Sequence, residues 1–351
     1  MKSDDPFLSA MVAAVLSLVL VGLSIQLARK KGWFDNPDDP RKIHKGMVPR
    51  LGGPGIAIAF IISVVLFNRW FSVVIPFRYY VLAACAVALH IVGLLDDFKN
   101  LRARFKFLVQ LIAAGATVAA GFSFSTLSLP FLSAPIKLGA AGMAITVVWI
   151  VGMANAVNMI DGMDGLAGGV GLIAAASFGA IHIMLGNSQS AVVALSLAGA
   201  LVGFLFFNFP KASIFMGDSG SLFLGYVLSV LPLLDGSQRP WLLGVMPAGT
   251  VLAVPIFDVF AAMIRRRRRG DSIMTPDREH LHHKLLDQGL EVRQILAIIY
   301  TICIGLGAVV AMGVYMTPSC ATIIQAVALV ILAGGFIVLH YYKERRKAAG
   351  S

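Results

Sequence analysis

Long apolar runs, most of them about 18–20 residues, recur from one end of this sequence to the other. A helix that crosses the hydrocarbon core of a bilayer needs about 20 such residues. The chain is 58% hydrophobic and 13% charged, whereas an ordinary soluble domain has about 25% charged residues. We therefore predict an all-α, polytopic integral membrane protein, and we expect no nucleic-acid partner.

The first apolar run extends from Phe7 to Ala28. It is too long for the core of a signal peptide and no small-residue cleavage site follows it, so we predict that it is retained. With ten further runs it gives eleven predicted spans, at residues 7–28, 54–71, 78–95, 106–126, 139–156, 166–185, 190–207, 219–234, 241–263, 295–316 and 320–342. We interpret residues 1–342 as a single membrane domain and residues 343–351 as a basic cytoplasmic tail.

The orientation follows from the basic residues, because cytoplasmic loops are enriched in Lys and Arg. With the N-terminus outside and the C-terminus in the cytoplasm, the only basic residues left outside are Lys2, Arg69, Arg78, Lys137 and Arg239. The only carboxylates left outside are Asp4, Asp5 and Asp235. Since the positive-inside rule does not require acidic residues in the cytoplasm, their excess there indicates a functional site.

Two adjacent carboxylates, Asp96 and Asp97, close the third predicted span. At a helix terminus both side chains can turn toward a metal ion or a phosphate. A solvated helix end is the alternative explanation, but the dipole at a helix C-terminus disfavours anions. The pair is therefore a candidate catalytic site.

The segment from Asn155 to Gly169 combines amides, carboxylates and glycines, and it contains no basic residue. Asp161 and Asp164 are three residues apart and can lie on one helical face, with Asn158 on the same side. The glycines let a ligand or a neighbouring backbone approach closely. A simple Asp-Gly turn would explain one such pair but not this density, so we predict a binding site.

A third polar segment runs from Asn208 to Ser221 and precedes the eighth predicted span. It contains Phe215 and a Gly-Asp-Ser-Gly run around Asp218. A carboxylate, a hydroxyl and free backbone N–H groups at a helix start suit an oxygen-seeking cation or a phosphate. A simple N-cap role for Asp218 is the alternative.

The longest cytoplasmic loop begins with Arg265–Arg269 and carries His280, His282 and His283. The arginines could anchor the orientation or contact anionic lipids, and their side chains also match phosphate oxygens. The histidines lack the spacing of zinc ligands, so hydrogen bonding to a diphosphate is favoured over metal ligation.

Two lysines stand beside the predicted cytoplasmic ends of spans. Lys45 lies in a basic loop stiffened by Pro and Gly after the first span, and Lys106 lies just inside the fourth. Both could simply satisfy the positive-inside rule.

Five segments, taken in order, resemble the polyprenyl-phosphate N-acetylhexosamine-1-phosphate transferases over nearly the whole chain. They are the Lys45–Gly53 loop, the Asp-Asp pair, the Asn-x-x-Asp-Gly-x-Asp-Gly run, the Phe-Met-Gly-Asp-Ser-Gly-Ser run and the His loop. The Pro-Asp-Arg-Glu-His-Leu-His-His stretch is similar to the branch that primes O-antigen, enterobacterial common antigen or teichoic acid. It departs from the peptidoglycan enzyme that takes UDP-MurNAc-pentapeptide.

The resemblance implies a reaction in the bacterial plasma membrane, with the active site on the cytoplasmic face. N-acetylhexosamine-1-phosphate, by default GlcNAc-1-phosphate, passes from a UDP-sugar to undecaprenyl or another polyprenyl phosphate, and UMP is released. The implied cofactor is Mg²⁺, with Mn²⁺ as an alternative. The chain would contact membrane lipids, and the oligomeric state is open, with a homodimer among the options.

The resemblance also implies roles for individual residues. Asp218, with Asp97, is the implied metal site. The implied catalytic residues are Asp96, Asp97, Lys106, His280, His282 and His283. The implied substrate-binding residues are Lys45, Asn158, Asp161, Asp164, Asn208, Phe215, Arg265 and Arg266, with the Phe215 ring stacked on uracil.

Other mechanisms and functions fit parts of the sequence. Direct attack by the lipid phosphate is favoured because a phosphate monoester, with a second pKa near 6, is largely dianionic, but a two-step route through an aspartyl-phosphate stays open. A transporter or flippase would place its charges near the midplane, often in two related halves. A CDP-alcohol phosphotransferase needs an Arg after Ala167, where this chain has Gly168. The identity of the sugar and the pathway are left open.

Overall fold

The computed structural model describes residues 5–34, 48–70, 76–130, 132, 134–234, 240–270 and 280–349. Nearly all of them are helical. The helices are α1 (Pro6–Lys31), α2 (Gly52–Trp70), α3 (Phe77–Lys99), α4 (Ala103–Ala119), α5 (Ala140–Ile160), α6 (Leu166–Met184), α7 (Ser188–Asn208), α8 (Gly217–Val230), α9 (Val245–Val251), α10 (Ala253–Arg269), α11 (Leu281–Leu286), α12 (Val292–Met312) and α13 (Pro318–Ala349). Lys45, a predicted substrate-binding residue, lies outside the described residues.

The helices confirm a polytopic membrane protein. Among the described residues, seven helices are long and apolar enough to cross a bilayer, namely α1, α3, α5, α6, α7, α12 with its following 3-10 turn, and α13. Each of the eleven predicted spans overlaps helical structure at least in part, but α4 has 17 residues and α8 has 14. The α13 backbone is helical to Ala349, so the predicted basic tail continues the last helix.

The ninth predicted span, residues 241–263, is broken rather than continuous. Residues 241–251 and 253–269 form two helical pieces bent by 58° relative to each other. Pro255 lies in the first turn of α10 and has no N–H with which to continue the helical bonding pattern back to Val251. The mean hydropathy of the stretch does not reveal this bend, whereas a proline inside a span predicts a kink.

Helix α8 lies in the middle of the bundle, and every residue from Ser219 to Val230 is buried. It packs against α2, α3 and α5. Two glycines permit this close packing. A Cβ at Gly93 would overlap the carbonyl oxygen of Asp218, and a Cβ at Gly225 would come within 2.7 Å of the Ala154 Cα. Small residues at helix contacts are typical of membrane bundles, and here they bring α3 against the first turn of α8.

A short antiparallel hairpin departs from the all-α prediction. Strand β1 (Thr126–Leu127) pairs with β2 (Ile136–Lys137), and Thr126 lies opposite Lys137. The fourth predicted span ends early, at Ala119, because Gly121 with φ +89° turns the chain away from the helix. Two-residue strands have too little alternation to be predicted from sequence.

Candidate active site

The first turn of α8 is capped from outside by a side chain of α3. Asp97 Oδ1 accepts a hydrogen bond from the backbone N–H of Asp218 at 2.8 Å, and its Oδ2 accepts one from Ser219 at 3.0 Å. A carboxylate is a favourable partner for the free N–H groups and positive dipole of a helix start. Gly217 has φ +72°, and a Cβ there would come within 2.7 Å of Asp97 Oδ2. Only glycine fits this junction without strain.

The neighbouring Asp96 joins a lysine bridge. Its Oδ1 accepts the backbone N–H of Leu101 at 2.6 Å, and its Oδ2 accepts Lys106 Nζ at 2.6 Å. Lys106 Nζ also donates to Asp218 Oδ2 at 2.9 Å. One ammonium group from α4 therefore holds together carboxylates from α3 and α8. Both members of the Asp pair lie next to the start of α8, but each side chain has a different partner.

Helix α5 reaches the same point with an amide. Asn158 Nδ2 donates to Ser221 Oγ at 2.9 Å, and that hydroxyl donates to the carbonyl of Gly217 at 3.0 Å. The Asn158 side chain also interacts with the Asp218 carboxylate. Asn158 is half-buried. The structure thus places the predicted residues Asp96, Lys106, Asn158 and Asp218 in one cluster.

Asp161 and Asp164 do not share a helical face, which corrects the sequence-based interpretation. Helix α5 ends at Ile160, and the two carboxylates lie in the turn before α6. Gly165, in this turn, has φ +77°, a conformation that favours glycine. The spacing of three residues was compatible with a helix, but the glycines around it favour a turn.

Two buried side chains hold this turn against the loop that precedes α8. Asn208 Oδ1 accepts the N–H of Gly165 at 2.9 Å, and its Nδ2 donates to the carbonyl of Ile214 at 2.8 Å. Asp164 Oδ2 accepts the N–H of Ala212 at 2.9 Å. Both Asn208 and Asp164 are buried. Their proposed contact with a nucleotide stays a prediction, and their observed contacts position the two loops.

Asp161 experiences the negative charge of the cluster. Burial raises the pKa of its carboxyl well above the usual range, and the charges of Asp218 and Asp97 raise it further. The positive charge of Arg50 partly offsets this effect. Arg50 was not among the predicted site residues. Its signal in the sequence was its place at the end of the basic loop, two residues before Gly52, where α2 begins.

The His loop is held by a carboxylate that the sequence analysis did not select. Asp258 lies on α10 and is 2% exposed. Its Oδ2 is 2.7 Å from His280 Nδ1, and its Oδ1 accepts the N–H of Leu281 at 2.7 Å. Asp258 therefore orients the first histidine and caps α11. The available signal was a carboxylate within an otherwise apolar helix, ahead of the arginine run.

The other two histidines lie next to the turn between α5 and α6. The ring of His282 is parallel to that of His280 at 6.0 Å and is 4.3 Å from that of His283. Burial, together with repulsion from His283, lowers the pKa of His282 to about 3, so this ring is neutral at physiological pH. A Cβ at Gly162 would lie 3.0 Å from His282 Nε2. The His loop and the acidic turn are therefore in contact.

Two of the five arginines are buried at the end of α10. Arg265 is 6% and Arg266 is 8% exposed, and both have partners. Arg267, Arg268 and Arg269, in contrast, are exposed. The helix ends after them at Gly270, which has φ +75°. Because Arg265 and Arg266 are buried within the protein, contact with lipid headgroups does not explain their position.

Phe215 lies in a backbone pairing between the loop before α8 and the segment before α2. Its N–H donates to the carbonyl of Pro49 at 2.8 Å, and its carbonyl accepts the N–H of Gly52 at 2.9 Å. The residue is half-buried. This pairing connects the start of α2 with the start of α8.

The carboxylates at the start of α8 are the candidate ligands of a metal ion. In the part of the chain that the structure describes, no three His, Cys, Asp or Glu side chains are grouped so that they could hold one. Mg²⁺, however, commonly binds through one or two carboxylates together with substrate phosphates and waters. Asp218 is 25% exposed at its side chain, and each oxygen of Asp97 has a second lone pair. These residues fit Mg²⁺ that arrives with a phosphate ligand, and they do not form a closed protein cage.

Comparisons with known proteins identify the family of this chain. A model of glycosyl transferase family 4 sequences matches residues 79–235. A probable undecaprenyl-phosphate N-acetylglucosaminyl 1-phosphate transferase from Bacillus subtilis (strain 168) is 36% identical, with 85% of this chain and 83% of the relative covered. The chain belongs to glycosyl transferase family 4. The family match spans α3 to α8 and so includes Asp96, Lys106, Asn158 and Asp218.

Two further family 4 relatives match over most of their length. The decaprenyl-phosphate N-acetylglucosaminephosphotransferase of Mycobacterium tuberculosis (strain ATCC 25618 / H37Rv) is 32% identical, over 92% of this chain and 86% of its own. The undecaprenyl-phosphate alpha-N-acetylglucosaminyl 1-phosphate transferase of Yersinia pestis is 30% identical, over 81% of this chain and 78% of its own. The predicted family resemblance is thereby confirmed.

Proposed function

We propose that this family 4 enzyme transfers N-acetylhexosamine-1-phosphate, by default GlcNAc-1-phosphate, from a UDP-sugar to undecaprenyl or another polyprenyl phosphate. UMP is the other product. The observation that carries the proposal is the bridge from Lys106 to Asp96 and Asp218, at the ends of three membrane helices. The names of the relatives, which combine a polyprenyl phosphate with transfer of N-acetylglucosamine phosphate, support it.

The reaction needs positioning and charge neutralisation more than covalent chemistry by the protein. An oxygen of the lipid phosphate attacks the phosphorus attached to the sugar. The bond from that phosphorus to the bridging oxygen breaks, and UMP leaves with both electrons. Lys106 would neutralise the approaching phosphates, with Asp96 holding its ammonium group in place. An aspartyl-phosphate route is the alternative within the same site.

Mg²⁺ is the proposed cofactor, with Mn²⁺ as an alternative, and Asp218 is the residue that would hold it, with Asp97 as the second candidate. When bound, the ion would reduce the repulsion between the diphosphate and the lipid phosphate. The negative charges of Asp218 and Asp97, which add to the effect of burial in raising the pKa of Asp161, support a cation at this place. The ligand set is open and so leaves room for phosphate oxygens.

The donor would lie across the two loops that meet the cluster. Phe215 would stack on uracil, with Asn158 and Asp161 toward the nucleotide and Asp164 and Asn208 positioning the turn. The diphosphate and sugar would lie against His280, His282 and His283, with Arg265, Arg266 and Lys45 contributing positive charge. Neutral His282 can donate one hydrogen bond and accept another, which suits a sugar hydroxyl as well as a phosphate.

The site would face the cytoplasm of a bacterium, in the plasma membrane, with eleven spans and an external N-terminus. The basic ends of α1 and α10 support this orientation. The test is cysteine labelling at Lys31 and Ser188, both exposed positions. An impermeant thiol reagent should reach Ser188→Cys in intact cells and Lys31→Cys only after lysis. Labelling of both from one side would refute the orientation.

The reaction itself is tested by UMP release from purified protein with undecaprenyl phosphate, Mg²⁺ and a panel of UDP-sugars. Release that depends on both the lipid and the metal would establish it and identify the sugar. A folded protein that releases no UMP from any donor would contradict it. A transporter would place these charges near the midplane, whereas here they lie at helix ends.

A further inference from the structure

A pair of carboxamides, one buried and one half-buried, lies one helical turn deeper in the bundle than the Lys106 bridge. Gln110 on α4 is 1% exposed and faces Asn155 on α5. Asn155 Nδ2 donates to Gln110 Oε1 at 2.7 Å, and Gln110 Nε2 donates to Asn155 Oδ1 at 3.4 Å. Each amide therefore both donates to the other and accepts from it.

Both carboxamides share a helix face with a residue of the cluster. Gln110 follows Lys106 by four residues on α4, and Asn155 precedes Asn158 by three on α5. Residues three or four apart lie on the same side of a helix. Lys106 and Asn158 also form hydrogen bonds with the N-terminal part of α8, at Asp218 and Ser221 respectively. The deeper pair is therefore aligned with the contacts to α8.

We propose that Gln110 and Asn155 are positioning residues, which set the rotation and height of α4 against α5 so that Lys106 reaches Asp218. This proposal rests on the transfer reaction proposed above. The pair acts through Lys106 and Asn158 and does not itself contact the reacting groups.

The need for such a pair follows from how the other helices are held. Asp97 ties α3 directly to the start of α8, which places Asp96 relative to Asp218. At the start of α4, Asp96 accepts the N–H of Leu101, which precedes the helix, and the N-cap residue Arg102 makes no side-chain capping bond. A rotation of α4 by one residue corresponds to about 100° and a 1.5 Å rise. Such a change would move the Lys106 stem away from both carboxylates.

The apolar surroundings favour the arrangement of α4 in which the two amides are paired. In apolar surroundings an amide that loses its partner has no water to replace it. Asn155 Nδ2 has one further acceptor, the carbonyl of Val151 at 2.7 Å in its own helix. That bond fixes the Asn155 rotamer and aims the rest of its amide at α4. Rotated arrangements of α4 would leave the buried Gln110 amide without its Asn155 partner, and Asn155 would keep only its bond to Val151.

An ordinary buried hydrogen bond on the same helix provides the matched control. Thr117 Oγ1 and Tyr226 Oη are 2.8 Å apart and buried, and Thr117 lies two turns beyond Gln110, away from the cluster. Thr117→Val removes a polar contact between α4 and α8 without altering the Gln110–Asn155 pair. It reports what a merely structural loss does to activity.

The kinetic experiment compares Gln110→Leu, Asn155→Leu, the reciprocal exchange Gln110→Asn with Asn155→Gln, and Thr117→Val. Full-length protein in lipid nanodiscs is assayed for UMP release against UDP-GlcNAc and undecaprenyl phosphate. We expect the two Leu variants to lower kcat by about 10- to 100-fold, as sub-ångström to 1 Å misplacements do, with little change in the KM for UDP-GlcNAc. The exchange should recover most of kcat, and Thr117→Val should keep it. Unchanged kcat in Gln110→Leu, or an equal loss in Thr117→Val, would overturn the proposal.

A second measurement does not depend on activity. Lys106→Cys is placed in a Cys320→Ser background, which removes the only exposed cysteine among the described residues, and its rate of reaction with a maleimide is measured. Adding Gln110→Leu should change that rate, and adding Thr117→Val should not. Identical rates in all three proteins would overturn the positioning role. A wild-type protein that releases no UMP would instead refute the proposed function.

Discussion

Asp97 and Asp218 are joined side chain to backbone, because the Asp97 carboxylate accepts the Asp218 N–H at 2.8 Å. The carboxylate of one helix is therefore the cap of the helix that carries the proposed metal ligand. The Asp218 side chain is left to face Lys106 Nζ at 2.9 Å. This division of work between two aspartates leads to separate expectations for their substitution.

Asp97→Asn should reduce both stability and turnover. The amide nitrogen would face an N–H donor at the start of α8, and loss of a helix cap weakens stability by about 1 kcal/mol. Asp5→Ala removes the cap of α1, which Asp5 provides to the Phe7 N–H, and serves as the control. Thermal unfolding and UMP release are measured for both variants. If Asp5→Ala loses as much turnover as Asp97→Asn, a specific role of Asp97 at the site is contradicted.

Asp218→Asn should reduce turnover to about 1% of wild type or less. The substitution keeps the size of the side chain but removes the charge that would bind Mg²⁺ and pair with Lys106. Higher Mg²⁺ should not restore activity, because an amide is a poor ligand for this ion. The measurement is UMP release over a range of Mg²⁺ concentrations. Near-normal turnover at any of these concentrations would exclude Asp218 as the essential metal ligand.

Phe215→Ala should weaken donor binding more than it slows the chemical step. Stacking of a base on an aromatic ring is worth about 1–3 kcal/mol, so we expect a rise in KM for the UDP-sugar of about tenfold or more. Phe209→Ala, at an exposed position in the same loop, is the control. KM and kcat are measured for both. An unchanged KM in Phe215→Ala would show that this ring packs within the protein instead of against uracil.

Asp258→Asn should lower kcat by about 10- to 100-fold, the usual effect of removing the carboxylate that orients a functional histidine. Asn can still accept the Leu281 N–H, so α11 should remain folded, but the hydrogen bond to His280 Nδ1 would be altered. The control is Glu291→Ala, which removes the side-chain cap of the following helix, α12. Steady-state kinetics and circular dichroism are compared. Equal kcat in Asp258→Asn and wild type would dissociate this carboxylate from the function of the His loop.

Asp161→Asn should stabilise the protein at neutral pH in the absence of metal and substrate. The folded-state pKa of Asp161 is raised above 3.8, so folding disfavours its ionised form. The resulting loss of stability is absent below pH 3.8 and complete above the raised pKa. The melting temperature of the variant should therefore exceed that of wild type at pH 8, with the difference shrinking as the pH is lowered. Donor binding should weaken at the same time, as expected where stability is sacrificed for function.

The opposite result at pH 8, a melting temperature below that of wild type, would mean that ionised Asp161 has a favourable partner in the folded protein. Melting is followed without Mg²⁺, because a bound cation would lower the pKa of this carboxyl and remove the effect. Asn187→Asp, in the connection between α6 and α7, controls for the general effect of changing the charge by one unit.

The sequence by itself determined that this chain is a membrane protein and which segments carry its chemistry. Repeated apolar runs of this length are typical of membrane spans. Carboxylates next to membrane spans are energetically unfavourable, so their presence indicates a functional site. Asp96, Asp97 and Asp218 could be selected on these grounds, the family resemblance added roles for Lys106 and Asn158, and the structure brings all five together.

The tertiary structure alone decided what each side chain contacts. Adjacent Asp96 and Asp97 look equivalent in the sequence, but the position of α8 makes one a helix cap and the other a partner of Lys106. Asp258 gains its importance from His280, 22 residues away in the chain, and Gln110 from Asn155, 45 residues away. Hydropathy and residue spacing describe only local geometry. These pairings depend on how helices that are distant in sequence pack together, and the glycines of α3 and α8 permit that close packing.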